Sequence, residues 1–316
     1  MIRSWEIFLY KILVCDPISS KAIDLLRAHG FHIDFVKSPP PNVLSNIISE
    51  YDVIIVRSAT KVTEQVIENA KKLKIIARAG AGLDNIAVEY ALQREIKVIN
   101  APEALTIAVA EHTFALMLML LRKEYEACKS LKDKKLWLKK QFLGEELYGK
   151  TLGIIGLGAI GGEVAKRALA FGMDVMGYRR TNLIKTAQRL GIRPAKNLSE
   201  LLSSSDIITL HVPLTKETYH MIGWREISLM KKGVYIINTS RGAVIDGRSL
   251  LHALNVGHVA GAALDVFEHE PPKESWEWKL ILHPRVIATP HIGSMTREAQ
   301  EKAGLIVARK IISEFG

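Results

Sequence analysis

The sequence predicts an α/β protein of two doubly wound parallel-sheet domains, on three observations. Short apolar runs alternate with helix-like segments through both halves of the chain. A glycine-rich turn joins one such run to an amphipathic helix in the middle of the chain. Polar residues able to do chemistry recur just after the apolar runs.

In the first half the expected strands are 11–14, 31–36, 53–56, 74–77 and 97–99, with helices such as 19–29 and 63–72 between them. Pro39, Pro40 and Pro41 mark an exposed loop rather than a domain boundary. The apolar tract 104–121 approaches membrane-spanning length, but Glu111 and His112 at its middle make it a buried or interfacial helix. A basic segment, 129–140, follows.

The stretch 151–162 reads T-L-G-I-I-G-L-G-A-I-G-G: a strand, a turn and the start of a helix running to about 171. Gly156, Gly158 and Gly161 hold the G-x-G-x-x-G spacing of a dinucleotide site. In such a site the first glycine makes the tight turn, the second lets a pyrophosphate touch backbone, and the third lets the helix pack close to the strand. The helix would direct its unpaired N–H groups at the phosphates. A second strand, 174–178, ends in Tyr178, Arg179, Arg180 and Thr181, with no carboxylate where one would accept from the ribose of NAD. Arginine suits a 2′-phosphate. The cofactor is therefore NAD or NADP, leaning towards NADP, with NAD held by backbone and apolar contacts as the alternative. Strands at 207–210, 234–238, 259–264 and 286–288 continue the alternation. A closing helix, 296–314, carries Ala299, Ala303, Ile306, Val307 and Ile311 on one face.

A chain of 316 residues with 48% hydrophobic and 24% charged residues has the composition of a two-domain globular protein. Cys15 and Cys128 show neither metal-ligand spacing nor a disulfide framework, which fits a reducing cytoplasm. The apolar letters from Ile7 to Cys15 are interrupted by Lys11 and lead to no cleavage site, so no signal peptide is expected. The net charge of +10 comes without a nucleic-acid motif and suits a small anionic ligand. Neither nucleic acid nor membrane is expected as a partner, and no metal site is expected.

Arg57 and Ser58, residues 78–82, and Asn100 follow strands of the first half; His211, Thr239 to Arg241, Asp265 and His291 follow strands of the second. Ligands of open α/β sheets bind outside the carboxyl ends of the strands, so these residues are expected to face a cleft. His291 is the candidate base near neutral pH, Glu270 in D-V-F-E-H-E-P-P its carboxylate partner, and Arg241 in N-T-S-R-G a bidentate grip on a substrate carboxylate. His258, His269 and His283 are taken as polar-loop residues and Glu268 as solvated, while Asp84 and Asn85 are helix caps.

The segments V-R-S-A-T-K-V-T from Val56, R-A-G-A-G-L-D-N from Arg78, G-K-T-L-G-I-I-G-L-G from Gly149, N-T-S-R-G, A-A-L-D-V-F and P-H-I-G resemble the signatures of the D-isomer-specific 2-hydroxyacid dehydrogenases, and the likeness covers nearly the whole chain. The resemblance implies a Rossmann nucleotide-binding domain, 101–293, inserted in a flavodoxin-like substrate domain made of 1–100 and 294–316. It makes Arg241, Glu270 and His291 catalytic. It assigns cofactor contacts to Gly156, Gly158, Ala159, Ile160, Gly161, Tyr178, Arg179, Arg180, His211, Val212, Pro213, Thr218, Thr239, Ser240, Asp265 and Gly293. Substrate contacts fall to Arg57, Ser58, Ala79, Gly80, Asn100, Arg241 and His291, with Lys61 and the partner copy's basic residues near position 139 facing a phosphate. The substrate implied is a small 2-hydroxy or 2-keto acid, foremost 3-phospho-D-glycerate, and an NADP-dependent glyoxylate or hydroxypyruvate reductase is the alternative. A homodimer built on the long apolar helix is implied as well. The distant alternative, a nucleotide-sensing corepressor, would lack the need for the full Arg, Glu and His set. The chain ends soon after its last helix, so serine inhibition through a C-terminal regulatory domain is not expected.

Overall fold

The fold is described from a computed structural model over residues 10–315; Ile7, Phe8 and Leu9, on which the absence of a signal peptide was partly read, lie outside the described residues. The chain divides into two compact units, residues 1–106 with 294–316, and residues 107–293.

The first unit holds five parallel strands, β1 (Tyr10–Val14), β2 (Phe31–Phe35), β3 (Val53–Val56), β4 (Ile75–Arg78) and β5 (Lys97–Asn100), in the order β2-β1-β3-β4-β5. This is the flavodoxin-like order. β3 is buried at every position, as V-I-I-V requires of a central parallel strand covered on both faces. The closing helix, Arg297–Phe315, returns to this unit and packs on the helix Ser20–Ala28, where Gly304 brings the two together: a Cβ there would lie 3.0 Å from Ser19 Oγ. Ala299, Ala303, Val307 and Ile311 are buried on that face, while Ile306 is only half-buried. The prolines do not form an exposed loop throughout. Pro39 is buried and Pro41 opens the helix Pro41–Ile47, because proline's fixed φ suits a first helical turn whose N–H groups have no partner anyway. The helix expected at 63–72 stops earlier, at Glu64–Glu68, where the Asn69 side chain donates to Gln65 O at 2.8 Å and closes the last turn.

The second unit holds seven parallel strands, β6 (Thr151–Ile155), β7 (Asp174–Tyr178), β8 (Arg193–Pro194), β9 (Ile207–Leu210), β10 (Val234–Asn238), β11 (Val259–Leu264) and β12 (Val286–Ala288), in the order β12-β11-β10-β9-β6-β7-β8. The strand order reverses between β6 and β9, the topological switch point of a doubly wound sheet. β8 was not expected; two residues on the sheet edge leave no apolar run to read. The helix Thr106–Leu121 buries Ala110, Phe114, Leu116, Met117 and Leu121 in this unit's own core. Among the described residues no helix is long and apolar enough to cross a membrane. Apolar side chains stay exposed beyond it, with Trp137 and Leu143 each 82% exposed.

Candidate active site

At the switch point Gly156 has φ +99°, a backbone conformation that side chains rarely adopt, and its amide donates to Tyr178 O at 2.9 Å. A Cβ there would meet His211 O at 2.3 Å. Gly161 sits so close below the turn that a Cβ would fall 2.0 Å from Gly156 O, so the helix Ala159–Ala170 lies against its strand only because residue 161 has no side chain. Around Gly158 the opposite holds: a Cβ would meet nothing within 4 Å. Gly158 is also the N-cap, with no capping side chain and no acidic residue in the first turn. An open cradle before a 12-residue helix, with amides turned outward and Ala159 and Ile160 in the first turn, fits a dinucleotide pyrophosphate.

Arg180 is exposed beyond β7. Arg179 folds back, donating from Nη1 to Leu157 O at 3.2 Å and Thr186 Oγ1 at 3.1 Å, so it braces the turn as well as lining it. His211 follows β9, with its amide on Ile155 O at 2.8 Å and Nε2 paired with Thr209 Oγ1 at 2.9 Å. Burial lowers its pKa to about 3, so the ring is neutral, and its buried Nδ1 has no protein partner. Thr218 ties the next loop by accepting from Thr215 N and donating to Pro213 O at 2.6 Å, next to Val212.

β10 ends in Asn238, 1% exposed, whose side chain organises the turn that presents Arg241. Its Oδ1 accepts from Ser240 N and Oγ, and its Nδ2 donates to Arg241 O at 2.9 Å. Thr239 pairs with Thr113 Oγ1 at 3.0 Å. Thr239 and Ser240 thus shape the turn. Gly242 lets this turn press on the backbone at Phe267: a Cβ would be 1.9 Å from Phe267 C. The arginine turn and the glutamate loop are thereby in direct backbone contact.

His291 Nδ1 donates to Glu270 Oε2 at 2.6 Å, while Glu270 Oε1 accepts from Phe267 N at 3.1 Å. The bond to Glu270 raises the His291 pKa above the ordinary imidazole value, against burial and the Arg241 charge, which lower it. His291 has φ +53°, uncommon for a side chain of this size, and its amide donates to Asp265 O at 2.8 Å. Asp265 is 1% exposed and accepts from Thr289 Oγ1, Ile292 N and Gly293 N, at 2.6, 2.8 and 2.8 Å. Burial pushes its pKa up, but these bonds and one from His112 outweigh it and hold it below the usual carboxylate value. Asp265 and Gly293 therefore build the loop that carries His291. An open pocket of about 480 Å³ lies beside the pair, walled by Phe267, Pro271, Trp278, Ile281 and Pro290.

In the first unit Arg57 and Ser58 follow β3. Arg57 is half-buried, with its amide on Asp16 Oδ2 at 2.6 Å, and Ser58 is exposed. The amides of Ala79 and Gly80 donate to Val56 O at 2.9 Å and Arg78 O at 2.8 Å, while among the described residues those of Ala81 and Gly82 have no backbone acceptor. Asn100 Nδ2 donates to Ala81 O at 2.6 Å and supports that loop.

Two sequence assignments change. Asn85 caps no helix: it donates to Arg57 O and Thr60 O and accepts from Arg78 Nε, joining the two candidate substrate loops. Glu268 is not simply solvated, since it accepts from Tyr219 Oη and His220 Nε2, each at 3.4 Å. His269 keeps its structural loop role and is bonded to Glu277, a residue the sequence did not single out. His112 and Asp16 were missed too. The only signal for His112 was a polar letter on an apolar helix.

The family model for the D-isomer specific 2-hydroxyacid dehydrogenase NAD binding domain matches residues 114–293, most of the unit that carries both the glycine turn and the His291–Glu270 pair. The chain belongs to the D-isomer specific 2-hydroxyacid dehydrogenase family. It is 48% identical over 301 residues to D-3-phosphoglycerate dehydrogenase of Methanocaldococcus jannaschii, covering 95% of this chain and 56% of that protein. It is 47% identical over 307 residues to hydroxypyruvate reductase of Thermotoga maritima, covering 97% of this chain and 99% of that one. Among solved structures, D-lactate dehydrogenase from Aquifex aeolicus, complexed with NAD and lactic acid, matches with a TM-score of 0.84 at 32% identity, covering 96% of this chain and 95% of that chain. The chain spans a little over half the length of these phosphoglycerate dehydrogenase relatives.

Proposed function

We propose that this dehydrogenase interconverts 3-phospho-D-glycerate and 3-phosphohydroxypyruvate. The observation that carries the reaction type is the 2.6 Å bond from His291 Nδ1 to Glu270, in the same unit as the glycine turn. A nicotinamide cofactor supplies or accepts the hydride when bound. With Nδ1–H held by Glu270, Nε2 is the nitrogen left to exchange a proton with the substrate's C2 oxygen. Arg241 orients the substrate carboxylate and carbonyl. Arg57 and Ser58 suit a phosphate, which favours the phosphorylated acid, and the phosphoglycerate dehydrogenases among the relatives support that choice. The exposed apolar residues after the long helix support a homodimer, and two unpaired thiols fit the cytoplasm.

The second reading, an NADP-dependent glyoxylate or hydroxypyruvate reductase, is favoured by the absence of a carboxylate at Arg179 and Arg180 and by the hydroxypyruvate reductase and glyoxylate reductase relatives. Side-by-side kcat/KM values for 3-phosphohydroxypyruvate and hydroxypyruvate, each with NADH and NADPH, separate the two. A strong preference for the phosphorylated acid is expected; preference for the plain acid makes the second reading correct. In Arg179→Asp the NADPH-to-NADH ratio should fall, and an unchanged ratio would leave Arg179 with only its bracing role.

The pH dependence has a definite sign. Reduction needs protonated His291, whose pKa is raised, so kcat/KM for reduction should persist above the pH at which an ordinary imidazole deprotonates and fall only as pH rises through the raised value. Glu270→Gln should move that fall to lower pH. A profile that stays in place would remove Glu270 from the proton pathway.

A further inference from the structure

The loop that carries Glu270 converges on one buried carboxylate, Glu277, in the helix Ser275–Ile281. Glu277 is 1% exposed. Its Oε1 accepts the backbone N–H of His269 at 3.0 Å. Its Oε2 accepts the N–H groups of Lys273 and Glu274, both at 2.9 Å, and His269 Nδ1–H at 3.1 Å. A helix-capping role accounts for only one of these four bonds, the reciprocal one to the N–H of Glu274. The other three come from residues on either side of Glu270. A carboxylate is kept out of water only where such bonds replace its hydration.

The helix is itself fixed from its other side. Trp276 covers Gly247, where a Cβ would meet the indole at 2.3 Å, and takes the Arg248 guanidinium over its ring at 5.0 Å. Leu280 is in the core. The anchor under the loop is therefore stiff. The strongest charged influences on the His291 ring are Glu270, Asp265 and Arg241.

We propose that Glu277 is a positioning residue for the proton-transfer pair: its carboxylate gathers the 269–274 loop so that Glu270 stands bonded to His291 Nδ1. This rests on the reading of His291 as the proton-exchanging group. The Glu277→Gln change keeps the size but turns an NH₂ group towards converging donors. In the full chain, NMR titration of the His291 imidazole should then show a lower pKa than in the wild type. Turnover should fall by about 10- to 100-fold, the effect expected of a small misplacement at a reacting group, with cofactor Kd within about twofold. His269→Ala, which deletes the ring's bond alone, should shift the titration in the same direction to a smaller extent, and it serves if the glutamine variant does not fold. A lower unfolding temperature with the His291 titration and kcat both unchanged would overturn the proposal. The titration needs no substrate, so a wild type inactive on every 2-keto acid would defeat the functional reading while the Glu277 question was still answered.

Discussion

His291→Asn should lower turnover by about two to four orders of magnitude while leaving cofactor affinity nearly intact. Asparagine suits the test because position 291 has φ +53°, a conformation asparagine adopts more readily than most residues. The amide bond to Asp265 O can persist, and the loop held by Asp265 need not move. What disappears is the proton-exchanging Nε2 and the partner of Glu270. The glycine turn and the Ala159–Ala170 helix, which would hold the cofactor, are untouched. The check is kcat for reduction of the preferred 2-keto acid beside cofactor Kd from fluorescence titration. Turnover close to wild type would show that another group carries the proton.

Gly242→Ala should be nearly as damaging to activity, without altering any group that does chemistry. Its Cβ would sit 1.9 Å from Phe267 C, 2.2 Å from Phe267 O and 2.4 Å from Glu268 N. These are backbone atoms with no rotamer to give way, so either the Arg241 turn or the loop leading to Glu270 must shift. A displacement of about 1 Å between reacting groups costs on the order of 100-fold in rate, and overpacking of this kind costs about 1–3 kcal/mol of stability. Denaturant unfolding would measure the second, and kcat well below the unfolding transition the first. If kcat keeps its wild-type value, the close approach of the two loops has no bearing on catalysis.

The features the sequence determined by itself are those in which one local pattern carries the physics. Buried parallel strands are written as unbroken apolar runs such as V-I-I-V, because both faces are covered. The glycine turn is written as spacing, because only residues without a Cβ fit at 156 and 161. Arg241, Glu270 and His291 stood out because each follows a strand end in a polar segment of distinctive composition. Their meeting did not follow from sequence distance.

Tertiary structure alone decided which polar residues hold those groups in place. Asn85 looked like a cap and joins two loops; Asp265 underlies His291; Glu277 gathers the loop around Glu270; His112, seen only as a flaw in an apolar helix, bonds to Asp265. The holding roles are not marked by periodicity or spacing, even where the residue itself, like Asp265, stands out after a strand, because their partners are backbone amides and carbonyls or side chains distant in the chain. Every residue offers the same backbone groups, so sequence cannot show which ones a buried carboxylate will find. Only the packed chain brings them within hydrogen-bond reach and makes an unpaired carboxylate too costly to bury.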